Sequence, residues 1–348
     1  NMARTKTKKK GNARQKALDV HKKVASKIIE NLEKGVRPWN KPWKGGQSAG
    51  MFGFTDLPVS ASTGKSYRGG NVWYLSIVRD ENNYVDNQWG TYNIWKKKGE
   101  QHAKSIGSDE YFGVQKGAKS HPVVYWKKSR WIEEDEVTGE ERVRHSFHPK
   151  YFLVFNRAET GLPPIEKPKM TKKEEKKKKE MAIIDAEKIF DKMVEDFEID
   201  FRESKQGRAY YSPSQDYIHL PNRDLFKTAE GRVGTAFHEA VHWTGHASRL
   251  DRDLSGMFGG EDYAREELVA EMGAAMLCMG AGIEGKALEE GLENSASYLQ
   301  SWLKAIKEAK DGGAKFINSS ASKAQRACEL LMPDVFGFKE EDKKEGEE

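Results

Sequence analysis

The pentapeptide His238-Glu239-Ala240-Val241-His242 constrains this chain more than any other feature of its sequence. Two histidines four residues apart lie on one face of an α-helix, so both imidazoles can bind one metal ion. The glutamate after the first histidine can then reach a water on that ion. Zinc suits two imidazoles and one carboxylate and leaves a fourth position open. The motif predicts a helix with a zinc site of the catalytic type.

A third ligand is expected from a later helix, because such a site needs three protein ligands. The stretch 266–271, Glu-Glu-Leu-Val-Ala-Glu, places carboxylates in a helical pattern that is otherwise apolar on one face. A charge there is costly unless a metal or a partner compensates it. We predict that Glu267 is the ligand and that Glu271 accepts the outer N–H of a ligand histidine. In the alternative, the glutamates form a solvated helix face with Arg265.

The chemistry that these residues predict is peptide hydrolysis. A bound zinc lowers the pKa of its water to about 7, Glu239 takes the proton as general base, and the metal polarises the substrate carbonyl. The strand 216–220, just before the helix, is expected to be the edge that aligns an extended peptide. His246 is a reserve ligand, although its spacing differs from the longer metzincin motif and such a histidine more often packs a helix end.

Length and composition limit the class of protein. A chain of 348 residues with 37% hydrophobic and 32% charged residues is long enough for two folded domains. The longest nearly apolar run, 274–283, is too short to cross a bilayer. Cys278 and Cys328 give neither a disulfide framework nor a cysteine zinc cluster. These features predict a cytoplasmic protein with no membrane partner.

A change of composition after Gly161 predicts the domain boundary. Three prolines are followed by a run of almost only lysine and glutamate at 172–180, which is typical of a linker or of a solvated helix start. We therefore predict a first domain over 13–161, a charged linker over 162–180 and a second domain over 181–335.

Hydrophobic periodicity predicts an α+β fold in which the second domain is mainly helical with a small sheet. In the first domain, Asn71 is expected to cap a short helix. The expected helices are 13–34, 72–80, 183–197, 226–248, 262–279, 294–309 and 315–332, and the expected strands are 123–126, 151–155, 208–212 and 216–220.

Aromatic and basic residues interleave between Arg37 and Trp126, in the first domain. Aromatic rings stack on unpaired bases at about 1–3 kcal/mol per base while cations follow the backbone, so this mixture favours single-stranded DNA over duplex. In the alternative the tryptophans are core residues, and we expect this of Trp73 and Trp126. The predicted DNA-binding residues are Trp39, Trp43, Lys44, Tyr67, Arg68, Trp95 and Lys96.

Further motifs occur in a fixed order along nearly the whole chain. They are Ile28 to Gly35 followed by Pro38-Trp39 and Lys41-Pro42-Trp43, then 63–71, 89–91, 154–156, 216–221, 238–246, 248–250 and 263–271. In these motifs the chain resembles the ArdC-type antirestriction proteins of conjugative plasmids and phages. Insertions at 51–59 and 132–148 depart from the family pattern.

The resemblance implies an α+β domain that binds single-stranded DNA, followed by a zincin-like metallopeptidase domain. It implies a role in protecting incoming DNA from restriction in the host, and it supports Glu267 as the third ligand. Two other hypotheses remain open at this point. One is a binding protein whose metal site only stabilises the fold, and the other is a regulatory protease that is delivered together with DNA.

Overall fold

The computed structural model describes residues 2–37, 57–134, 141–165, 171–256, 260–283, 295–309 and 313–337. Helices dominate, and the strands form one sheet of four strands and one of three. The α+β architecture with two domains is confirmed. None of the helices within these ranges is both long enough and apolar enough to span a bilayer.

The first domain combines three helices with the four-stranded sheet. Its sheet has the order β1-β2-β4-β3, with β1 parallel to β2 and the other neighbours antiparallel. The elements are α1 (Met2–Glu33), β1 (Val59–Ser60), α2 (Gly70–Glu81), β2 (Gln88–Thr91), α3 (Tyr92–Ile106), β3 (His121–Glu134) and β4 (Glu141–Asn156).

Helix α1 begins earlier than its apolar pattern predicts but buries the predicted face. Ala17, Val24, Ile28 and Leu32 are all buried, because residues spaced by three, four and seven lie on one side of a helix. Gly35 follows the helix with φ 73°, a left-handed conformation that glycine adopts without steric cost.

Strands β3 and β4 form a hairpin much longer than the predicted strands. Asn71 does not cap α2 as predicted, because the helix starts after Gly69. The Asn71 side chain instead pairs with the backbone of Val124. Its Nδ2 donates to the Val124 carbonyl at 2.7 Å, and its Oδ1 accepts from the Val124 N–H at 3.0 Å. This amide fixes the root of the hairpin to α2.

The second domain starts with a helix that includes the predicted linker run. Thr171 and Glu174 form a capping box, which satisfies orphan N–H groups at the helix start. The elements are α4 (Lys172–Asp196), β5 (Asp200–Ser204), β6 (Tyr210–Ser212), β7 (Tyr217–Pro221), α5 (Ala229–Trp243), α6 (Glu261–Gly280), α7 (Ser295–Glu308), α8 (Ala314–Leu331) and α9 (Pro333–Phe336).

The small sheet corrects one prediction. Its order is β5-β7-β6, with β7 parallel to β5 and antiparallel to β6. Strand β7, which contains most of the predicted 216–220 segment, is therefore central and has no free edge for a peptide. The two edge strands are β5 and β6, and of these β6 packs against the metal-motif helix α5.

Helix α6 lies at the centre of the hydrophobic core, and its residues 266–279 are all buried. The same cluster of buried side chains includes Ile28, Leu32 and Trp73 from the first domain. Polar contacts reinforce this boundary, since the backbone N–H of Gly69 donates to Gln325 Oε1 at 3.2 Å. The two domains therefore share a continuous core, and the exact limits 13–161 and 181–335 stay a prediction.

Candidate metal centre

Helices α5 and α6 hold the predicted ligands and pack closely against each other. Thr228 caps the start of helix α5, where its side chain accepts from the Gly231 N–H at 3.0 Å. A Cβ added at Gly273 on α6 would lie 2.7 Å from Val241 Cγ2 on α5. Only glycine permits this approach at residue 273, and the approach brings the α6 carboxylates to the histidine face of α5.

His238, His242 and Glu267 converge on one point. The two Nε2 atoms are 3.1 Å apart, Glu267 Oε2 is 3.5 Å from His238 Nε2, and Glu267 Oε1 is 3.6 Å from His242 Nε2. Ligand atoms about 2.0–2.1 Å from a tetrahedral ion lie about 3.3 Å from one another. The three side chains are therefore spaced to hold one divalent metal ion.

The charges at this point favour a cation. Burial lowers the pKa of His242, but hydrogen bonds to Glu266 and Glu267 outweigh burial and raise it to about 10. Burial raises the pKa of Glu267, yet the hydrogen bonds with His238 and His242 hold it well below its usual range. Without a metal, positive charge on the imidazoles balances the buried carboxylates, and a divalent ion would replace that charge while it displaces the protons.

Glu266 takes the role that was predicted for Glu271. Its Oε1 lies 3.1 Å from His242 Nδ1, so the ring nitrogen that faces away from the ligand cluster has a carboxylate partner. Arg252 holds this carboxylate from the other side, with Nε at 3.0 Å from Oε2 and Nη2 at 2.8 Å from Oε1. Arg252 is buried and also donates to Thr244 Oγ1 at 2.7 Å. Among the described residues, the outer nitrogen of the other ligand, His238 Nδ1, has no hydrogen-bond partner. The prediction that Glu271 holds a ligand histidine is therefore wrong.

Glu271 lies one turn further along α6, on the side where the first domain contacts the helix. It is completely buried, and its Oε1 is 3.5 Å from Nη1 of Arg37, which follows α1. A residue four positions after Glu267 is displaced by about 6 Å along the helix axis. Glu271 therefore meets a cation of the first domain instead of the imidazole of His242.

Glu239 is buried beside the ligand cluster. Burial raises its pKa above the ordinary value, although the charges of His238 and His242 and a hydrogen bond from the Tyr211 backbone act in the opposite direction. Tyr211 belongs to the edge strand β6, so the N–H of that strand aims at the carboxylate. A carboxylate with a raised pKa next to a metal site is suited to accept and return a proton.

His246 is not part of the ligand cluster. Its Nδ1 is 2.8 Å from Ser248 Oγ and accepts from the Ser248 N–H at 3.2 Å. These contacts arrange the turn after α5, and the reserve assignment of His246 as a ligand has no support in the geometry.

Those predicted DNA-binding residues that the structure describes do not form one surface. Trp39, Trp43 and Lys44 lie outside the described residues. Lys96 is exposed on α3, whereas Trp95 is completely buried and donates from Nε1 to the Phe155 carbonyl at 2.9 Å. Burial removes both faces of that indole from solvent, so Trp95 is corrected to a core residue.

Tyr67 and Arg68 lie where the two domains meet. The Tyr67 hydroxyl donates to the Trp89 carbonyl at 3.3 Å, and its ring packs against the core. Arg68 forms an ion pair with Glu329 on α8. These contacts anchor the two residues, and their assignment to DNA binding stays a prediction.

The core assignments of two tryptophans have opposite outcomes. Trp73 is completely buried, as predicted, but Trp126 is 43% exposed. Tyr125, which belongs to the interleaved aromatic and basic residues of the sequence, is also exposed, and sequence reasoning missed Tyr151 and Phe152 as exposed aromatic residues on the same hairpin. The lysines next to these rings, Lys127, Lys128 and Lys150, were the available signal, because charged neighbours indicate a solvated part of a strand.

Family models match both parts of the chain. A model of the N-terminal domain of the anti-restriction factor ArdC matches residues 18–190, and a model of zincin-like metallopeptidases matches residues 188–322.

Relatives and solved structures agree with these models. The uncharacterized protein y4eC of Sinorhizobium fredii is 30% identical over 322 residues, which cover 91% of this chain and 92% of that protein. Two Escherichia coli proteins named DNA primase TraC are 34% and 35% identical over 302 and 303 residues, which cover 83% of this chain in each case. The chain spans only 25% and 18% of their length.

Two crystal structures of the antirestriction ArdC protein from plasmid R388 also match. The metal-free structure has a TM-score of 0.63 at 32% identity, and the Mn(II)-bound structure has a TM-score of 0.61 at 30% identity. Each alignment covers 92% of this chain and 99% of that one.

Proposed function

Since the chain belongs to the ArdC family of anti-restriction factors, we propose that it binds single-stranded DNA through its first domain and carries a zinc-dependent peptidase site in its second. The observation that carries the peptidase proposal is the convergence of His238, His242 and Glu267 beside the buried carboxylate of Glu239. Three ligands with an acid–base group next to them are typical of metallopeptidase sites.

Zinc is the proposed ion because two imidazoles and one carboxylate suit it. The R388 relative is described in an Mn(II)-bound form, so manganese is the main competitor. When bound, the ion would supply Lewis acidity, which acidifies a water molecule and polarises a peptide carbonyl.

The residues of the chain would transfer the proton and would orient the metal ligand and the substrate. Glu239 would accept the proton from the attacking water and return it to the leaving amine. Glu266, which Arg252 holds in place, would keep the His242 ring in one tautomer and one orientation. Because β6 is an edge strand and its Tyr211 N–H reaches Glu239, it would align an extended peptide by main-chain hydrogen bonds.

The second candidate function is non-proteolytic protection of DNA, with a metal that only stabilises the fold. The burial of His238, Glu239 and Glu267 favours it, because a structural metal site is closed to solvent whereas a catalytic one must admit substrate.

The deciding experiment combines metal analysis with a proteome-wide cleavage screen. Purified wild-type protein should contain about one zinc per chain and should cleave at least one protein, whereas Glu239→Gln should keep the metal and lose all cleavage. Equal cleavage by both proteins would remove Glu239 from the mechanism. Cleavage by neither, together with retained antirestriction activity in Glu239→Gln, would favour the non-proteolytic alternative.

The DNA-binding half of the proposal is tested separately. The full-length protein should bind a single-stranded oligonucleotide more tightly than a duplex of the same sequence, since stacking requires exposed base faces. Equal affinity for both forms across a salt titration would indicate attraction by charge alone and would contradict the single-strand proposal.

A further inference from the structure

One face of the β3–β4 hairpin presents aromatic rings to solvent. Tyr125 is 48% exposed and Phe152 is 38% exposed. Tyr125 pairs with Lys150 across the hairpin, and Phe152 lies two residues further along β4. Residues that pair in antiparallel strands share a face, and diagonal neighbours about 7–8 Å apart are within reach of aromatic side chains. We call this surface, Tyr125, Lys127, His148, Lys150 and Phe152, the aromatic face.

The fold holds the aromatic face in one orientation. Val123 and Val154, on the same side of the two strands, are buried in a cluster with Val24 and Tyr74. The backbone of Val124 is fixed by both hydrogen bonds of Asn71. Val123 and Val154 are thus buried, whereas Tyr125 and Phe152, which lie next to them on the same side of the strands, are exposed to solvent. A platform that is ordered in advance loses little conformational entropy when a ligand binds.

The charge of the hairpin is complementary to a polyanion. The strand segments 123–130 and 142–152 contain no aspartate or glutamate. Their basic residues are Lys127, Lys128, Arg130, Arg142, Arg144 and Lys150. Acidic residues follow only towards the tip, at Glu133, Glu134 and Glu141. Basic residues therefore lie beside the exposed rings and continue along the hairpin as far as Arg142, which pairs in register with Glu133 where the acidic residues begin.

We propose that the aromatic face stacks the bases of a single-stranded nucleic acid while the neighbouring lysines contact its phosphates. This inference rests on the proposed function of the first domain and assigns it a surface. Rings on an open sheet face next to cations are a common arrangement for single strands, because every base offers a flat face and every linkage a charge. A duplex hides its base faces and could not stack on these rings.

The test uses the full-length protein and a fluorescently labelled oligothymidylate. Tyr125→Leu and Phe152→Leu remove a ring but keep an apolar side chain, and each should weaken binding roughly 5- to 150-fold. Tyr125→Phe keeps the ring and should bind like wild type. Lys150→Gln should lower the log–log salt slope by about 0.7, the value for one phosphate contact on a single strand.

Ile132→Ala is the matched control, because Ile132 is an exposed apolar residue on the same hairpin near its acidic tip. It should leave affinity unchanged, and thermal unfolding should show that all variants are folded. If the wild type binds the oligonucleotide and the two leucine variants bind equally well, the aromatic face is not the binding surface, although the proposed function stands. If Tyr125→Phe is as weak as Tyr125→Leu, stacking is refuted. If the wild type does not bind single strands, both proposals fail.

Discussion

Glu266 Oε1 lies 3.1 Å from Nδ1 of His242, and this contact leaves Nε2 as the nitrogen that points to His238 and Glu267. A histidine has two ring nitrogens, and the partner of one decides which of them is free to bind a metal. Arg252 holds Glu266 by a bidentate contact in a buried environment. The ligand geometry thus depends on a side chain ten residues beyond the second histidine.

We expect Glu266→Gln to weaken metal binding about 10- to 100-fold. The amide keeps the size of the side chain but loses the charge that orients His242 and neutralises Arg252. Competition with a chromophoric chelator measures the affinity directly. Glu261→Gln is the control, since Glu261 is exposed on the same helix and pairs only locally with Arg265. An unchanged affinity in Glu266→Gln would show that the contact with His242 does not position the ligand.

The metal ligands could be predicted from sequence, whereas their supporting residues could not. His238 and His242 follow from helical periodicity, and Glu267 follows from the cost of a charge on an apolar helix face. The choice between Glu266 and Glu271 as the partner of His242 depends on how α5 and α6 are rotated against each other. That rotation is set by tertiary contacts such as Gly273 against Val241, which no local pattern encodes.

The burial of individual aromatic residues could likewise be predicted from sequence only in part, because it also depends on tertiary contacts. Trp73 lies in a helix whose apolar neighbours indicate its burial correctly. Trp95 and Trp126 both differ from their predictions. Trp95 is buried and donates from Nε1 to the Phe155 carbonyl on β4. Trp126 is exposed, and its ring lies edge-on to His21 of α1 at 5.7 Å. Both outcomes depend on contacts with distant parts of the chain, which local composition does not encode.

Gly273→Ala should destabilise the protein by about 1–3 kcal/mol, because the new methyl group would overlap the Val241 side chain. Urea unfolding measures the change. Val241→Ala removes the obstructing methyl groups, so Gly273→Ala should be less harmful in that background than in wild type. Gly207→Ala is the control, because no atom lies within 4 Å of the added Cβ. Additive effects of the two core changes would contradict close contact between the helices.

Asp216→Asn tests the network that attaches the β6–β7 turn to the end of α5. Asp216 accepts from Arg249 Nη1 at 2.9 Å and from the Tyr211 hydroxyl at 2.7 Å. Its φ of 51° is left-handed, a conformation that asparagine also tolerates. The Asp216 side chain is 37% exposed, so water screens the pair and we expect a loss of about 1 kcal/mol at neutral pH.

The effect of Asp216→Asn should depend on pH in one direction. The hydrogen bond from Arg249 holds the pKa of Asp216 below its ordinary value. A carboxyl group whose pKa is lower in the folded protein than in the unfolded chain stabilises the fold at pH values above the unfolded pKa, about 3.9. This contribution is lost as the pH falls through the pKa of the folded state. The difference in the free energy of unfolding between wild type and Asp216→Asn should therefore have its full size at pH 7 and shrink below about pH 4. Asp200→Asn is the control, because Asp200 forms an exposed pair with Arg202, and it should change the free energy of unfolding little. A stability difference between wild type and Asp216→Asn that grows in acid would contradict the assignment.

Metal removal should lower the thermal stability of the protein, because an ion that binds only the folded chain stabilises it in proportion to the logarithm of its concentration over Kd. At a free metal concentration about 100 times Kd the gain is about 2.7 kcal/mol. Differential scanning calorimetry with and without a chelator measures it, and His238→Ala should abolish the response since it removes a ligand. His246→Ala should respond like wild type, because His246 contacts Ser248 and lies outside the ligand cluster. A chelator response that survives in His238→Ala but disappears in His246→Ala would place the metal at the turn after α5 and overturn the ligand assignment.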